Sequence, residues 1–180
     1  MKKFVSLMMA LSLMMMLGAA GADTVINWAD VEGQITLEGQ WVANEEWNAG
    51  FFLPSDMQAV EVTKEMQEQG IQAAFTTADG SGKMVVMTIT LPDGAKDAAA
   101  YVENLKKLGY ADAEVAVVNG YEMATYTDTA NDQMVALSIY NDGTAMAFAF
   151  APASDEAMKT KAAIMMASLT TYEEAAAKAQ

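Results

Sequence analysis

The chain of 180 residues contains no histidine and no cysteine, and because all ten of its basic residues are lysine it contains no arginine. Without imidazole or thiol groups it cannot form a Ser-His-Asp triad, a cysteine nucleophile, a disulfide or a His/Cys zinc site. Without guanidinium groups it has no bidentate phosphate clamp and no arginine finger. The composition therefore excludes several reaction classes and assigns none.

Positive charge is also scarce, since 24 Asp and Glu residues face ten lysines and the formal net charge is −14. Such an excess of negative charge keeps a protein soluble, and it repels nucleic acid phosphates and anionic lipid surfaces. We therefore expect neither nucleic acid nor a membrane surface among the partners.

The first 22 residues have the pattern of a secretory signal peptide. Lys2 and Lys3 precede an apolar run from Phe4 to Leu17, and Ala20-Gly21-Ala22 fits the small-residue motif that signal peptidase accepts. The run is shorter than the roughly 20 apolar residues that a membrane span needs. The sequence predicts cleavage after Ala22 and a secreted or extracytoplasmic protein, and the form of the signal suggests a bacterial origin.

Residues 23–172 are expected to fold as a single domain, because roughly 150 residues can bury about 70% of the surface of the unfolded chain. Residues 173–180 form an alanine-rich end, which the sequence predicts to be a frayed helical tail. Asn27 is a candidate N-cap for a short first helix, and Pro152 and Ser154 are expected to start the last one.

Strand signals surround one strong helix signal. Strands are predicted over 38–43, 49–53, 71–77 and 83–91, a helix over 97–108, and two hairpins over 113–127 and 133–150. The strand over 83–91 is apolar on both faces, which indicates cover on both faces. The expected fold is α+β, with a mostly antiparallel sheet sandwiched between helices in a three-layer α/β/α arrangement.

This pattern resembles the PsbP-like and DcrB-like extracytoplasmic α/β proteins over most of residues 49 to 169. The resemblance rests on Phe51-Phe52-Leu53-Pro54, the helix Asp97 to Leu108, the turns Asn119-Gly120 and Asp142-Gly143, and Ser154 with its closing helix. The Gly-Trp that often follows the strand proline in those proteins is replaced here by Ser55-Asp56. The resemblance implies an accessory or binding role outside the cytoplasm, and it carries no active-site residue with it.

Trp41, Glu45 and Trp47 would share one face of a continuous strand and would form a platform for a sugar ring. In the alternative interpretation, Asn44-Glu45-Glu46 is a turn and both indoles are buried, as tryptophan usually is. The same residues underlie the alternative that the protein is a carbohydrate-binding module or a small carboxylate-dependent hydrolase, because carboxylates are its only abundant acid and base groups.

Asp128, Asn131 and Asp132 offer oxygen ligands suited to calcium in a hairpin loop, although their spacing is not that of an EF-hand and favours the alternative of a solvated turn. Beyond this calcium hypothesis the sequence predicts no cofactor. The expected partner is an unidentified protein or glycan of the cell envelope, bound by a protein without catalytic activity.

Overall fold

The computed structural model describes residues 24–91, 95–140 and 143–180. Within these ranges it contains ten strands: β1 Thr24–Ile26, β2 Gly39–Asn44, β3 Ala49–Pro54, β4 Met57–Val60, β5 Ile71–Thr77, β6 Lys83–Thr90, β7 Glu114–Val118, β8 Tyr121–Asp128, β9 Gln133–Ile139 and β10 Thr144–Ala151. The same ranges contain five α-helices: α1 Trp28–Val31, α2 Lys64–Glu68, α3 Ala98–Lys107, α4 Glu156–Ala167 and α5 Tyr172–Lys178. A 3-10 turn, Glu32–Gln34, follows α1.

Eight strands form one mixed sheet in the order β1-β7-β8-β9-β10-β6-β5-β4, and β2 and β3 form a separate hairpin. The pairing of β1 with β7 is parallel, and every other pairing among the described strands is antiparallel. A large sheet combined with helices confirms the predicted α+β class.

Tight turns set the register of the predicted hairpins. Asn119 and Gly120 join β7 to β8 with φ angles of 48° and 85°, the left-handed conformation that a two-residue hairpin turn requires. The predicted hairpin between β5 and β6 is also confirmed, with its turn at Asp79 to Gly82. Of the third predicted turn, Asp142 lies outside the described residues, while Gly143 has a φ of 81°.

The residues of β10 contribute alternately to two core clusters. Met146, Phe148 and Phe150 belong to a cluster that also contains Met158 and Met165 of α4. The intervening Ala145 and Ala147 of β10 belong to a second cluster, which also contains Ala98, Val102 and Leu105 of α3. Because successive side chains of a strand project to opposite faces, each cluster draws on one face of β10.

The structure corrects the predicted chain ends. Residues 172–178 form the helix α5, so the predicted tail is helical, but its fully buried Ala175 packs against the rest of the protein instead of fraying. The N-cap of α4 is Asp155, whose carboxylate accepts the Met158 amide at 2.9 Å, so the helix begins after the predicted start at Pro152 and Ser154. Ser154 instead donates its amide and its hydroxyl to Asp132, each at 2.8 Å.

Two strands were not predicted. β1 has three residues and pairs with β7, and β4 has four residues and pairs with β5. Neither is long enough to show a clear alternation of apolar and polar residues. β1 and β4 are the two edge strands of the sheet. The pairing of β1 with β7 places Ile26 beside Val118.

Candidate functional site

A cavity of about 100 Å³ lies between helix α4 and strands β7 to β9. Small side chains on both sides create it, since Ala162 and Ala163 of α4 face Ala116 of β7 and Ala136 of β9. Larger side chains at these four positions would fill the space between the helix and the sheet, and alanine leaves it open. Much of the remaining wall is apolar and includes Ile26, Val118, Met123, Met134, Phe150 and Met166.

Polar groups line one part of this cavity, which we call the groove. Asp112, Glu114, Thr125 and Thr127 contribute to its wall. Glu114 and Thr125 are directly paired across β7 and β8, and the Thr127 amide donates to the Asp112 carboxylate at 2.8 Å. The groove therefore combines an apolar interior with a rim that contains two carboxyl groups.

Burial raises the pKa of Glu114, the nearby charge of Asp112 raises it further, and Lys106 partly offsets both effects. The protonated form of Glu114 is favoured relative to a free carboxyl group because two unfavourable influences act on its charged form. A cation placed at the rim would offset the repulsion between the two carboxylates. The electrostatics of the rim thus favour a positively charged group next to the groove.

Three tyrosines lie near this part of the sheet on the α3 side. The rings of Tyr110 and Tyr126 meet edge to face with centroids 4.8 Å apart. Burial raises the pKa of Tyr126 to about 12, and Tyr101, Tyr110 and Asp128 add to the shift. The phenol of Tyr126 is therefore protonated at neutral pH, so it can donate a hydrogen bond and is a poor base.

The structure does not bring Trp41, Glu45 and Trp47 onto one strand face. β2 ends at Asn44, whose side-chain oxygen accepts the Trp47 amide at 3.2 Å, and Glu45 lies exposed in the turn that follows. Trp47 is 8% exposed and belongs to the main core cluster. Trp41 is half-buried and packs against Trp28 and Phe52.

Asp128, Asn131 and Asp132 lie in the loop between β8 and β9, and their polar groups are engaged within the protein. The Asp128 carboxylate accepts the side-chain amide of Asn131 at 2.7 Å as well as the backbone amides of Ala130 and Asn131, and the bond from the Asn131 side chain is the main cause of its lowered pKa. The Asp132 carboxylate accepts hydrogen bonds from the amide and the hydroxyl of Ser154. Among the residues that the structure describes, no group of three or more acidic side chains is placed to hold a metal ion.

Ala20 and Ala22, the residues of the predicted cleavage motif, lie outside the described residues. Across the described part of the chain, none of the helices combines the length and apolar character needed to cross a membrane.

The groove was not predicted, although the sequence contains one sign of it. Glu114 shares a face of β7 with the buried Ala116 and Val118, so a carboxylate stands where alternation calls for an apolar residue. A charged residue in a buried stripe often marks a site. The alanines of α4, by contrast, gave no sign, because only the packing of helix on sheet turns them into a cavity.

No known family model matches the chain, and no curated protein is significantly similar to it in sequence. Among solved structures it is similar to cyanobacterial PsbP from Synechocystis, with a TM-score of 0.51 and 15% identity over 87% of this chain and 99% of that one. A protein from Bacteroides thetaiotaomicron gives a TM-score of 0.47 at 17% identity over 75% of this chain, which spans only 49% of that protein. The Ran-binding protein Mog1p from Saccharomyces cerevisiae gives 0.40 at 14% identity, over 76% of this chain and 97% of that one. The likeness to PsbP confirms the predicted PsbP-like architecture and concerns the fold alone.

Proposed function

We propose that this protein is a non-catalytic binding or accessory protein that acts outside the cytoplasm and binds a protein partner through the groove between α4 and β7 to β9. The observation that carries the proposal is the combination of an apolar cavity with the carboxyl groups of Asp112 and Glu114 at its rim. The PsbP-like architecture supports the accessory role, because the sequence resemblance implies that role for such proteins.

The size of the cavity indicates what part of a partner it takes. Sites for small molecules usually enclose about 300 to 1,000 Å³. A cavity of about 100 Å³ is suited instead to one apolar side chain inserted from a partner surface. The two carboxyl groups then select a lysine or arginine next to that side chain, because opposite charges at an interface rim favour association.

We also infer the layer arrangement from the two core clusters. Since α3 belongs to one cluster and α4 to the other, the arrangement that fits is a sheet with α3 on one face and α4 on the opposite face. Methyl NOEs from Leu105 to Leu137, and from Met165 to Met146, would support this three-layer order, and NOEs between Leu105 and Met165 would contradict it.

Export and cleavage after Ala22 are part of the proposal, supported by the basic start, the apolar run and the small-residue motif. Mass spectrometry of the protein expressed in a bacterial host should find a chain that begins at Asp23 in the extracytoplasmic fraction. An intact amino terminus on protein recovered from the cytoplasm would contradict it.

The groove is tested with two short peptides, each having one leucine between two charged residues, lysines in the first and glutamates in the second. The methyl signals of Met123, Met134 and Met166, which line the cavity, should move saturably with the lysine peptide and stay fixed with the glutamate peptide. Removing one rim charge by E114Q or D112N should weaken binding by about two- to five-fold, as a partly exposed charge pair typically contributes.

A matched control is E103Q, which removes an equivalent charge from an exposed position on α3. The proposal is wrong if neither peptide moves the three methionine signals, or if both peptides bind equally. Higher salt should also weaken binding of the lysine peptide, because ions screen an exposed charge pair.

One observation keeps the carboxylate-dependent hydrolase as a second candidate. Glu114 has a raised pKa and lies near Asp112, and a protonated carboxyl beside an ionised one is what such enzymes use. Release of chromophore from nitrophenyl glycosides by the wild-type protein, absent with E114Q, would favour this candidate. No release from either protein would leave the binding role.

A further inference from the structure

Three aromatic rings meet on the side of the β2–β3 hairpin that faces α1, and we call them the aromatic cluster: Trp28, Trp41 and Phe52. Trp41 and Phe52 are cross-strand partners with ring centroids 6.3 Å apart. Trp28 of α1 adds a ring at 5.4 Å from Trp41 and 6.0 Å from Phe52. All three side chains are half-buried, so part of the cluster remains open to solvent.

The inner side of the aromatic cluster is closed by helix α4. Trp28 and Phe52 pack against Ala163 and Ile164 of that helix. The Trp41 plane is inclined by 81° to Trp28 and by 75° to Phe52. The rings therefore form steep walls instead of one flat surface, a shape suited to a rounded group and poorly suited to the flat face of a sugar ring.

A positive charge of the protein itself already occupies this position. The ammonium group of Lys178 lies 4.4 Å from the centroid of Trp41 and 5.9 Å from that of Trp28. Aromatic faces attract cations within about 6 Å because the ring quadrupole is negative above its plane. The contact shows that the aromatic cluster accepts an alkylammonium group.

The attachment of Lys178 allows it to leave. It is the last residue of α5, a helix of seven residues, and its side chain is exposed. The anchor of that helix is the buried Ala175, one turn earlier. A rotation of the Lys178 side chain alone can uncover the rings without displacing Ala175.

From this geometry we infer that the aromatic cluster is a binding site for an organic ammonium ion, such as a quaternary ammonium or a methylated lysine, and that Lys178 is its displaceable internal occupant. The acidic character of the chain supports the same ligand class, because negative surface potential raises the local concentration of cations. Neither the three rings nor Lys178 line the groove, so binding at either site can fail independently of the other.

Choline is the probe, with 3,3-dimethylbutan-1-ol as its uncharged isostere, each titrated at constant ionic strength. The chain has three tryptophans, so three indole N–H signals report the result, and the buried Trp47 provides an internal reference. Choline should shift the signals of Trp28 and Trp41 saturably and leave Trp47 in place, and the isostere should shift none.

Replacing the occupant gives the decisive comparison. K178Q, which keeps the side-chain length and removes the charge, should bind choline about two- to five-fold more tightly than wild type, the range expected from losing an exposed cation–π competitor. K178R keeps a cation and should bind as wild type does. Circular dichroism confirms that both variants are folded.

Three results would overturn the inference. The first is that the Trp28 and Trp41 signals of K178Q do not move with choline. The second is that the uncharged isostere moves them as far as choline does. The third is equal affinity of K178Q and wild type, which would show that Lys178 does not compete for the site.

Discussion

At the β7–β8 turn, the side chain of Asn119 connects three segments that are distant in sequence. Its oxygen accepts the Trp28 amide at 2.6 Å, at the start of α1. Its nitrogen donates to the carbonyl oxygens of Ala167 and Leu169, at 2.9 and 2.8 Å, at the end of α4. Asn27 is the N-cap residue of α1, as predicted, but its side-chain amide donates to the Asp30 carboxylate and makes no capping bond to the backbone. The sequence predicts Asn119 as a turn residue because turn preference is local, whereas its bonds to two helices are not.

Replacing Asn119 should therefore cost more than replacing an ordinary turn residue. N119G keeps the left-handed backbone conformation and removes all three hydrogen bonds, so we expect a loss of about 2 to 3 kcal/mol in the free energy of unfolding. N119D keeps the acceptor for Trp28 but places a carboxylate oxygen against the carbonyl oxygens of Ala167 and Leu169, so it should cost at least as much as N119G. Urea unfolding measures all of these values.

The matched control is N48G, since Asn48 lies exposed in the β2–β3 turn with a φ of 47°. Its cost should stay within about 0.5 kcal/mol, the usual range for surface substitutions. Equal costs for N119G and N48G would mean that the side-chain bonds of Asn119 contribute nothing beyond its turn conformation.

Among the secondary-structure elements, those with strong local signals were predicted and those that depend on partners were not. Helix α3 and the β7–β8 hairpin follow from apolar periodicity, from lysines near a helix end and from Asn-Gly. The edge strands β1 and β4 exist because longer strands accept them as neighbours. Helix α5 looked like a frayed end because alanines carry little apolar surface, yet a small residue is what close packing on Gly50 requires.

Gly50 shows how closely α5 and its preceding segment approach β3. It exchanges two backbone hydrogen bonds with Thr170, both at 2.9 Å. A Cβ added at Gly50 would collide with Ala175 and lie 2.5 Å from the Val42 carbonyl oxygen. Only a residue without a side chain allows this contact between a strand and the C-terminal helix.

We therefore expect G50A to displace α5 and to reduce the free energy of unfolding by about 1 to 3 kcal/mol, the usual cost of overpacking. Hydrogen exchange at the amides of residues 175–179 should become faster, because a helix without its packing surface is marginal at this length. G33A is the matched control, since a Cβ there meets nothing within 4 Å. Unchanged exchange in G50A would show that α5 does not depend on this packing.

The same distinction explains how much of the candidate sites could be predicted. The rim of the groove has a local sign in Glu114, whereas its cavity needs α4 above the sheet. Trp41 was proposed from the sequence as part of a sugar platform with Glu45 and Trp47, whereas its neighbours in the structure include Trp28 and Lys178, from opposite ends of the chain. A single sequence cannot show that contact, because no periodicity or spacing links residues so far apart.

For the molecule as a whole, the absence of histidine and cysteine predicts an unusual response to pH. Carboxyl groups titrate near pH 4 and lysines above about pH 10, so few groups change charge between roughly pH 6 and 9. The excess of acidic over basic residues makes the folded chain repel itself once the carboxyl groups are ionised. Stability should therefore be nearly constant around neutral pH and should change on the acid side.

Two carboxyl groups shape that acid side in opposite directions. Hydrogen bonds from Thr77 and Ser81 lower the pKa of Asp79 far below its usual range, so the unfolded chain binds its proton first. Its contribution is therefore present above about pH 4 and is lost as the pH falls further. Burial raises the pKa of Glu114, so the folded state holds that proton more tightly, and stability falls as the pH rises past about 4.5.

We expect the thermal midpoint to rise from pH 2 through the range in which ordinary carboxyl groups titrate, to fall slightly above that range, and to stay level around neutral pH. D79N should reduce the rise on the acid side, because an amide cannot lose a proton to gain the charged hydrogen bonds that Thr77 and Ser81 donate. E114Q should remove part of the fall above pH 5 and leave the acid side unchanged.

Differential scanning calorimetry of the three proteins across this range measures each effect separately. A steep change between pH 7 and 8.5 would contradict this expectation, since the chain has no histidine or cysteine and its terminal amino group alone normally titrates there. If D79N followed the wild-type curve below pH 4, the hydrogen bonds around Asp79 would not be stabilising the folded state.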